Sequence, residues 1–268
     1  MVGESRSFYP FFDEGGLLLQ TQTLTEGKIG PALLRFALPF LGARLLQVLY
    51  GAADLFMVAR FADAAAVSAV STGSQVMQAV TSIVIGLSAG ATVLIGQYAG
   101  AKRERELGET VGASACLFAL IAAVMTLVVV ALSGPIVGWM RTPEAAALPA
   151  GQYITICGWG IFFIVGYNAV SAILRGLGDS KTPLYFVAVA CVTNVVLDYV
   201  LVAVFSMGAA GAAAATIASQ GLSLVLSLVY LKKRGFYFPF DRAMLRLHPR
   251  QTGRILQLRL PLALQDAL

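Results

Sequence analysis

Four long stretches carry no Asp, Glu, Lys or Arg: positions 64–101, 110–140, 145–174 and 199–231, of 38, 31, 30 and 33 residues. A helix crosses a bilayer core with about 20 apolar residues, so each stretch is long enough to span. Only 12% of the chain is charged and 58% is hydrophobic, where a soluble domain is roughly 25% charged. The expected fold class is therefore an all-α membrane protein. Nothing alternates apolar and polar over ten-residue segments, which excludes a transmembrane barrel. The single histidine, His248, excludes multi-histidine metal sites and argues against histidine-based catalysis. Cys116, Cys157 and Cys191 stand singly in apolar runs with no C-x-x-C pair, and read as small core residues.

Breakers divide the apolar sequence into six spans, near 31–59, 65–98, 110–133, 147–174, 183–205 and 209–231. Charged or Pro-containing loops separate most of them, and the break at Met207-Gly208 has no charge. Lys102, Arg103, Arg105, Arg175, Lys181 and the basic residues from Lys232 to Arg250 fall after even-numbered spans, whereas the opposite loops offer only Arg60 and Arg141. Lys and Arg collect on the cytoplasmic side, so both ends of the six-span unit, and the N-terminus, are expected in the cytoplasm, with the unit in the cell membrane. The +5 charge is then a topology signal, and no nucleic-acid partner is expected. The expected organisation is a polar tail over 1–24 without signal-peptide pattern, a bundle over 25–231, a basic linker over 232–250, and the start of a seventh helix over 251–268. That last segment, Ile255-Leu256-Gln257-Leu258-Arg259-Leu260-Pro261-Leu262, echoes Leu33-Leu34-Arg35-Phe36-Ala37-Leu38-Pro39-Phe40. Transporters are often built from duplicated bundles, and the echo suggests a first half followed by the opening of a second.

An ionisable residue at membrane depth marks a functional site by default. Asp54 in the first span and Asp198 in the fifth qualify, and the topology puts both in the outer half. Gln47, Tyr50 and Asp54 share one stripe of the first span, and Asn194 lies one turn before Asp198. Thr216 falls in the outer half of the sixth span, while Asn168 in the fourth sits nearer the middle or inner half. Carboxylates, amide oxygens and a hydroxyl are the hard ligands that a proton or small monovalent cation requires. The competing reading is interhelical hydrogen bonding, above all for Thr216. Pro39 removes a backbone hydrogen bond within the first span and predicts a kink. The small residues from Gly208 to Ala215 predict close helix packing.

Gln47-Val48-Leu49-Tyr50-Gly51-Ala52-Ala53-Asp54, the loop Leu174-Arg175-Gly176-Leu177-Gly178-Asp179-Ser180-Lys181-Thr182-Pro183, and Asn194-Val195-Val196-Leu197-Asp198-Tyr199 with Gly211-Ala212-Ala213-Ala214-Ala215-Thr216 together resemble the multidrug and toxic compound extrusion (MATE) family over about residues 25–268. The resemblance implies a twelve-helix antiporter of two six-helix bundles, exporting mostly cationic organic compounds in exchange for H⁺ or Na⁺, without cofactor or metal other than a coupling Na⁺. By residue, it implies a cation site at Asp54, Asn168, Asn194, Asp198 and Thr216, cavity-lining roles for Gln47 and Tyr50, and a bending role for Pro39. The partners it implies are membrane lipid, small organic substrates and a second, C-terminal six-helix bundle that this sequence lacks.

Two other classes compete. Gly176-Leu177-Gly178-Asp179 matches the G-x-G-D motif of intramembrane aspartyl proteases, but that chemistry needs two neighbouring carboxylates, and the topology separates Asp179 from Asp54 and Asp198. The motif reads better as a tight turn, and no enzyme is expected. A flippase of lipid-linked precursors or polysaccharide would share the architecture, and Arg44, the deeper of two arginines in the first span, is the residue that would favour an anionic cargo.

Overall fold

The computed structural model describes residues 29–236, 238, 240, 241 and 244–266. The tail expected over 1–24 lies outside them. The chain order is α1 (Ile29–Phe61), α2 (Ala64–Gly100), α3 (Glu104–Ala131), a short α4 (Ser133–Trp139), α5 (Glu144–Gly176), α6 (Lys181–Asp198), a π-helical turn (Tyr199–Val204), α7 (Gly208–Arg234) and α8 (Pro249–Asp266). No strand occurs among the described residues. Six helical segments are long and apolar enough to cross a membrane: α1, α2, α3, α5, α6 with its π-turn, and α7. The fold class is the expected six-helix membrane bundle.

The helix edges depart from the sequence reading in an instructive way. The charged run near Lys102 was expected to break the chain, yet α3 begins inside it, at Glu104. Glu104 and Glu106 occupy its first turn, where carboxylates offset the positive end of the helix dipole, and Arg105 pairs with Glu109 one turn on. At the other end of the bundle unit, α7 continues through Lys232, Lys233 and Arg234 in its last turn. Cations are favoured there for the same reason, and Gly235, at φ +66°, ends the helix. The third apolar run yields a second helix, α4, beyond Leu132. Pro39 stands within a continuous α1.

α5 is the axis of the bundle. It packs on α2, α7 and α3, and residues such as Ile154, Cys157, Ile161 and Ala172 are fully enclosed. α1 is the opposite case. It rests on α6 and α2 and leaves Leu38, Leu41, Leu45 and Val48 exposed. The segment beyond α7 is more than a charged connection. Phe236, Phe238 and Phe240 stack with ring centroids 4.8 and 5.0 Å apart and pack against the core. Ile255 of α8 is buried against α2, where Tyr98 donates to Gln251 Oε1 at 3.3 Å and Arg254 donates to the Tyr98 hydroxyl at 2.6 Å.

Candidate functional site

α6 and α7 set the geometry through an unusual turn. After Asp198 the backbone widens into the π-turn, whose Val200 and Leu201 carbonyls accept from Phe205 N (3.0 Å) and Met207 N (3.0 Å). π-turns are rare and concentrate at functional sites. The chain then re-enters as α7 with its small residues. A Cβ at Gly211 would lie 3.2 Å from the Leu201 carbonyl and 2.9 Å from Met207 Cβ, so glycine lets α7 pack directly against the π-turn. Ala209, Ala212, Ala213 and Ala215 are buried as well, and α7 packs on α5, α6 and the π-turn, which answers the expectation of close packing.

This arrangement brings four predicted residues together. Asp54 of α1 faces Asp198 and Asn194 of α6 and Thr216 of α7. All but Thr216 are buried, Asn194 and Asp198 completely. Thr216 Oγ1 donates to Asp54 Oδ2 at 2.8 Å. Among the described residues, the other Asp54 oxygen, both Asp198 oxygens and both ends of the Asn194 amide lack a hydrogen bond of good geometry, although the three side chains lie within interaction distance of one another. Buried polar atoms are nearly always paired, because leaving one unpaired costs roughly 1–3 kcal/mol and a charged one more. Five such atoms on three mutually facing side chains distinguish this pocket from an ordinary interhelical hydrogen bond.

The remaining predicted residues occupy distinct places. Tyr50 points inward and donates to the Thr216 carbonyl at 3.1 Å, with Ser219 Oγ at 3.4 Å. Gln47 Oε1 accepts from Arg44 at 3.4 Å. Asn168 is buried on α5 and donates to the Ile164 carbonyl of its own helix at 2.8 Å; no hydrogen bond among the described residues joins it to the carboxylates. Two neighbours were missed by sequence reasoning. Tyr153 and Cys157 of α5 are buried within electrostatic reach of Asp54 and touch each other. Cys157 is the small core residue it was expected to be, but its place beside a carboxylate had no sequence signal. Tyr153 fits because α2 has Gly73 opposite: a Cβ there would fall 2.2 Å from the ring.

A cavity of about 280 Å³ opens at the end of the bundle away from the basic loops, lined by Asp63, Gln152, Val202 of the π-turn and Ser206, among others. The side chains brought together, two carboxylates, an amide oxygen and a hydroxyl, are hard oxygen donors of the kind that suits a proton or a small cation. No cluster of three metal-ligating side chains occurs among the described residues. Asp179, the G-x-G-D aspartate, has neither other acid beside it. It accepts from Thr182 N (3.0 Å), Thr182 Oγ1 (2.6 Å) and the Tyr230 hydroxyl (3.2 Å), and so serves the turn into α6.

Residues 39–200 match the MatE family model. The chain is 31% identical over 247 residues to the probable multidrug resistance protein YpnP of Bacillus subtilis, covering 92% of this chain and 55% of that protein. It is 32% identical over 232 residues to YoeA of the same organism, covering 85% and 50%. Among solved structures, an outward-facing multidrug resistance MATE family transporter of the MOP superfamily superposes with a TM-score of 0.83 at 23% identity, over 92% of this chain and 55% of that one. The chain thus spans about half the length of the relatives it matches.

Proposed function

Because the chain belongs to the MatE family of membrane transporters, we propose that it forms the first lobe of a cation-coupled antiporter that exports organic, mostly cationic compounds. The observation that carries this reading is the wholly buried Asp198–Asn194 pair, turned toward Asp54 and without a hydrogen bond of good geometry among the described residues. Buried carboxylates are tolerated when a counter-charge balances them. In this reading H⁺ or Na⁺ supplies that charge at one stage of the cycle and a cationic substrate profits from it at another. Asp54, Asn194, Asp198 and Thr216 hold the ion directly, and Asn168, lower on α5, lines the same interior. Gln47 and Tyr50 face the substrate side, and a bend of α1 at Pro39 accompanies the change of occupant.

Residues 25–231 form the lobe and 232–250 the linker, with 251–268 opening a second six-helix bundle that supplies the other wall of the cleft. The exposed Leu38, Leu41, Leu45 and Val48 on α1 are an apolar face for that bundle or for lipid to cover. Loop charge supports a cytoplasmic N-terminus and cytoplasmic basic segments in a multi-pass cell-membrane protein. The test is efflux of a cationic drug from vesicles containing the complete transporter, under an imposed proton or sodium gradient. Gradient-driven efflux that vanishes in Asp198→Asn supports the proposal; efflux indifferent to either gradient refutes it. Translocation of a lipid-linked pyrophosphate by the same vesicles would instead favour the flippase alternative.

A further inference from the structure

The basic end of the lobe holds a second group of charges that cation transport does not use. Arg44 of α1 turns back one helical turn and lies over the Phe40 ring, its guanidinium carbon 5.3 Å from the centroid. Arg175, in the last turn of α5, lies over the same ring at 5.7 Å. Both guanidinium groups are also within electrostatic reach of Tyr167, whose hydroxyl is committed to the Pro183 carbonyl at 2.9 Å. Neither arginine is ion-paired among the described residues, where the ion pairs are Arg103–Glu106 and Arg105–Glu109. Asp179, the acid nearest Arg175 in sequence, is engaged by Thr182 and Tyr230. Two like charges therefore share one aromatic ring, half-buried, without a counter-ion.

We propose that Arg44 and Arg175 form a binding site for the phosphate headgroup of an anionic phospholipid. Like-charge repulsion in a partly dry niche is relieved by an anion between the two groups, and each guanidinium fork matches two phosphate oxygens. A headgroup dianion balances both charges. The leucine stripe of Leu38, Leu41 and Leu45 adjoins Phe40 and Arg44 on α1 and is exposed, offering a surface for the acyl chains. Gln47, which accepts from Arg44, fixes the side chain on its outer side. The proposal goes beyond the transport reading and does not depend on it, because none of these groups belongs to the carboxylate cluster.

The test uses the purified chain in an uncharged detergent, with native mass spectrometry counting retained dioleoyl phosphatidic acid or phosphatidylcholine. The chain should retain phosphatidic acid about tenfold more tightly than phosphatidylcholine, and R44Q combined with R175Q should reduce that preference to within about twofold. Arg103→Gln, which alters an exposed arginine already paired with Glu106, should leave it unchanged. Lysines at both positions keep the charge but lose the forks, and should retain an intermediate preference; this variant keeps the test decisive if the glutamine pair misfolds. Equal retention of the two lipids, or an undiminished preference in the folded glutamine pair, overturns the site. Displacement of phosphatidic acid by millimolar inorganic phosphate overturns the lipid assignment in favour of a free phosphate pocket.

Discussion

The two ends of α6 each present an aspartate, and the two could hardly be treated more differently. At the start, Asp179 has every oxygen engaged, by the Thr182 amide, the Thr182 hydroxyl and the Tyr230 hydroxyl. At the end, Asp198 is completely buried and neither oxygen has a hydrogen bond of good geometry among the described residues, next to a buried amide in the same condition and a second carboxylate. The first arrangement is how a turn is held together. The second is unfavourable for the protein alone and is sustained by the surrounding packing. Residue type is shared and both acids border the same helix, so the difference lies in the partners, and it sets an acid committed to a turn apart from one free to take an ion in the proposed reading.

The comparison breaks most visibly if Asp198 proves structural. Asp198→Asn in the complete transporter should reduce gradient-driven drug efflux to the background of protein-free vesicles, while membrane insertion and thermal unfolding remain at or above the parental level. Removing an unpaired buried charge at nearly constant volume takes away a cost. A variant that transports normally would show that coupling does not need Asp198, and one that fails to fold would show that Asp198 stabilises the lobe; either result removes the contrast with Asp179. Asp179→Ala should behave in the opposite sense. It removes a carboxylate that caps the start of α6 and three hydrogen bonds, and should cost about 2 kcal/mol of stability, measured as a lower unfolding midpoint in detergent. Efflux per inserted molecule should persist.

Much of this was legible in the sequence because it follows from what a bilayer demands. Charge-free length gave four stretches and the breakers between apolar runs divided them into all six spans, and the uncharged break at Met207-Gly208 is a real one, with Ser206 and Gly208 both at φ +54°. Helical spacing put Asn194 beneath Asp198 and placed Tyr50 and Asp54 on the inward stripe of α1. What remained hidden depends on contacts between segments or on backbone alone. Nothing in Tyr199-Val200-Leu201-Val202-Ala203-Val204 announces a π-turn, since these residues suit an ordinary helix. Tyr153 meets the site only because Gly73, on another helix, makes room for its ring. Arg175 reads as a loop cation until Phe40 brings it to Arg44. The fully engaged Asp179 is equally a tertiary fact, as Tyr230 reaches it from α7.

The comparison also sharpens with pH. If a proton and a cationic drug compete for the Asp54–Asp198 pocket, each weakens the other by the same factor. Drug affinity of the complete transporter in sodium-free buffer should then rise about tenfold between about pH 5 and about pH 8, roughly 1.4 kcal/mol. Protons leaving the pocket as the pH rises expose the negative charge that the drug prefers. Asp198→Asn should flatten the profile, and Asp179→Ala should leave its slope intact. A flat profile in the parental protein removes proton coupling at this pocket and leaves Na⁺ or the second bundle as the driver.

The smallest expected effect tests how the satisfied and unsatisfied parts of the site are joined. Tyr50 donates to the Thr216 carbonyl, and Thr216 in turn donates to Asp54. Tyr50→Phe removes the first link while leaving the ring in place. The Thr216 carbonyl lies inside α7 and keeps its place in the helix's own hydrogen-bond ladder, so no buried acceptor is orphaned, and the loss should amount to about 0.5–1 kcal/mol. If Tyr50 only braces α1 against α7, that loss appears as a slightly lower unfolding midpoint with the pH profile of drug affinity unmoved. If it also sets Thr216 against Asp54, the affinity changes by roughly two- to fivefold, the equivalent of the same energy. The profile then shifts along the pH axis as well, because Asp54 loses a well-placed donor to its ionised form. An unmoved profile confines Tyr50 to packing and leaves the ion-responsive machinery of this lobe to Asp54, Asn194, Asp198 and Thr216.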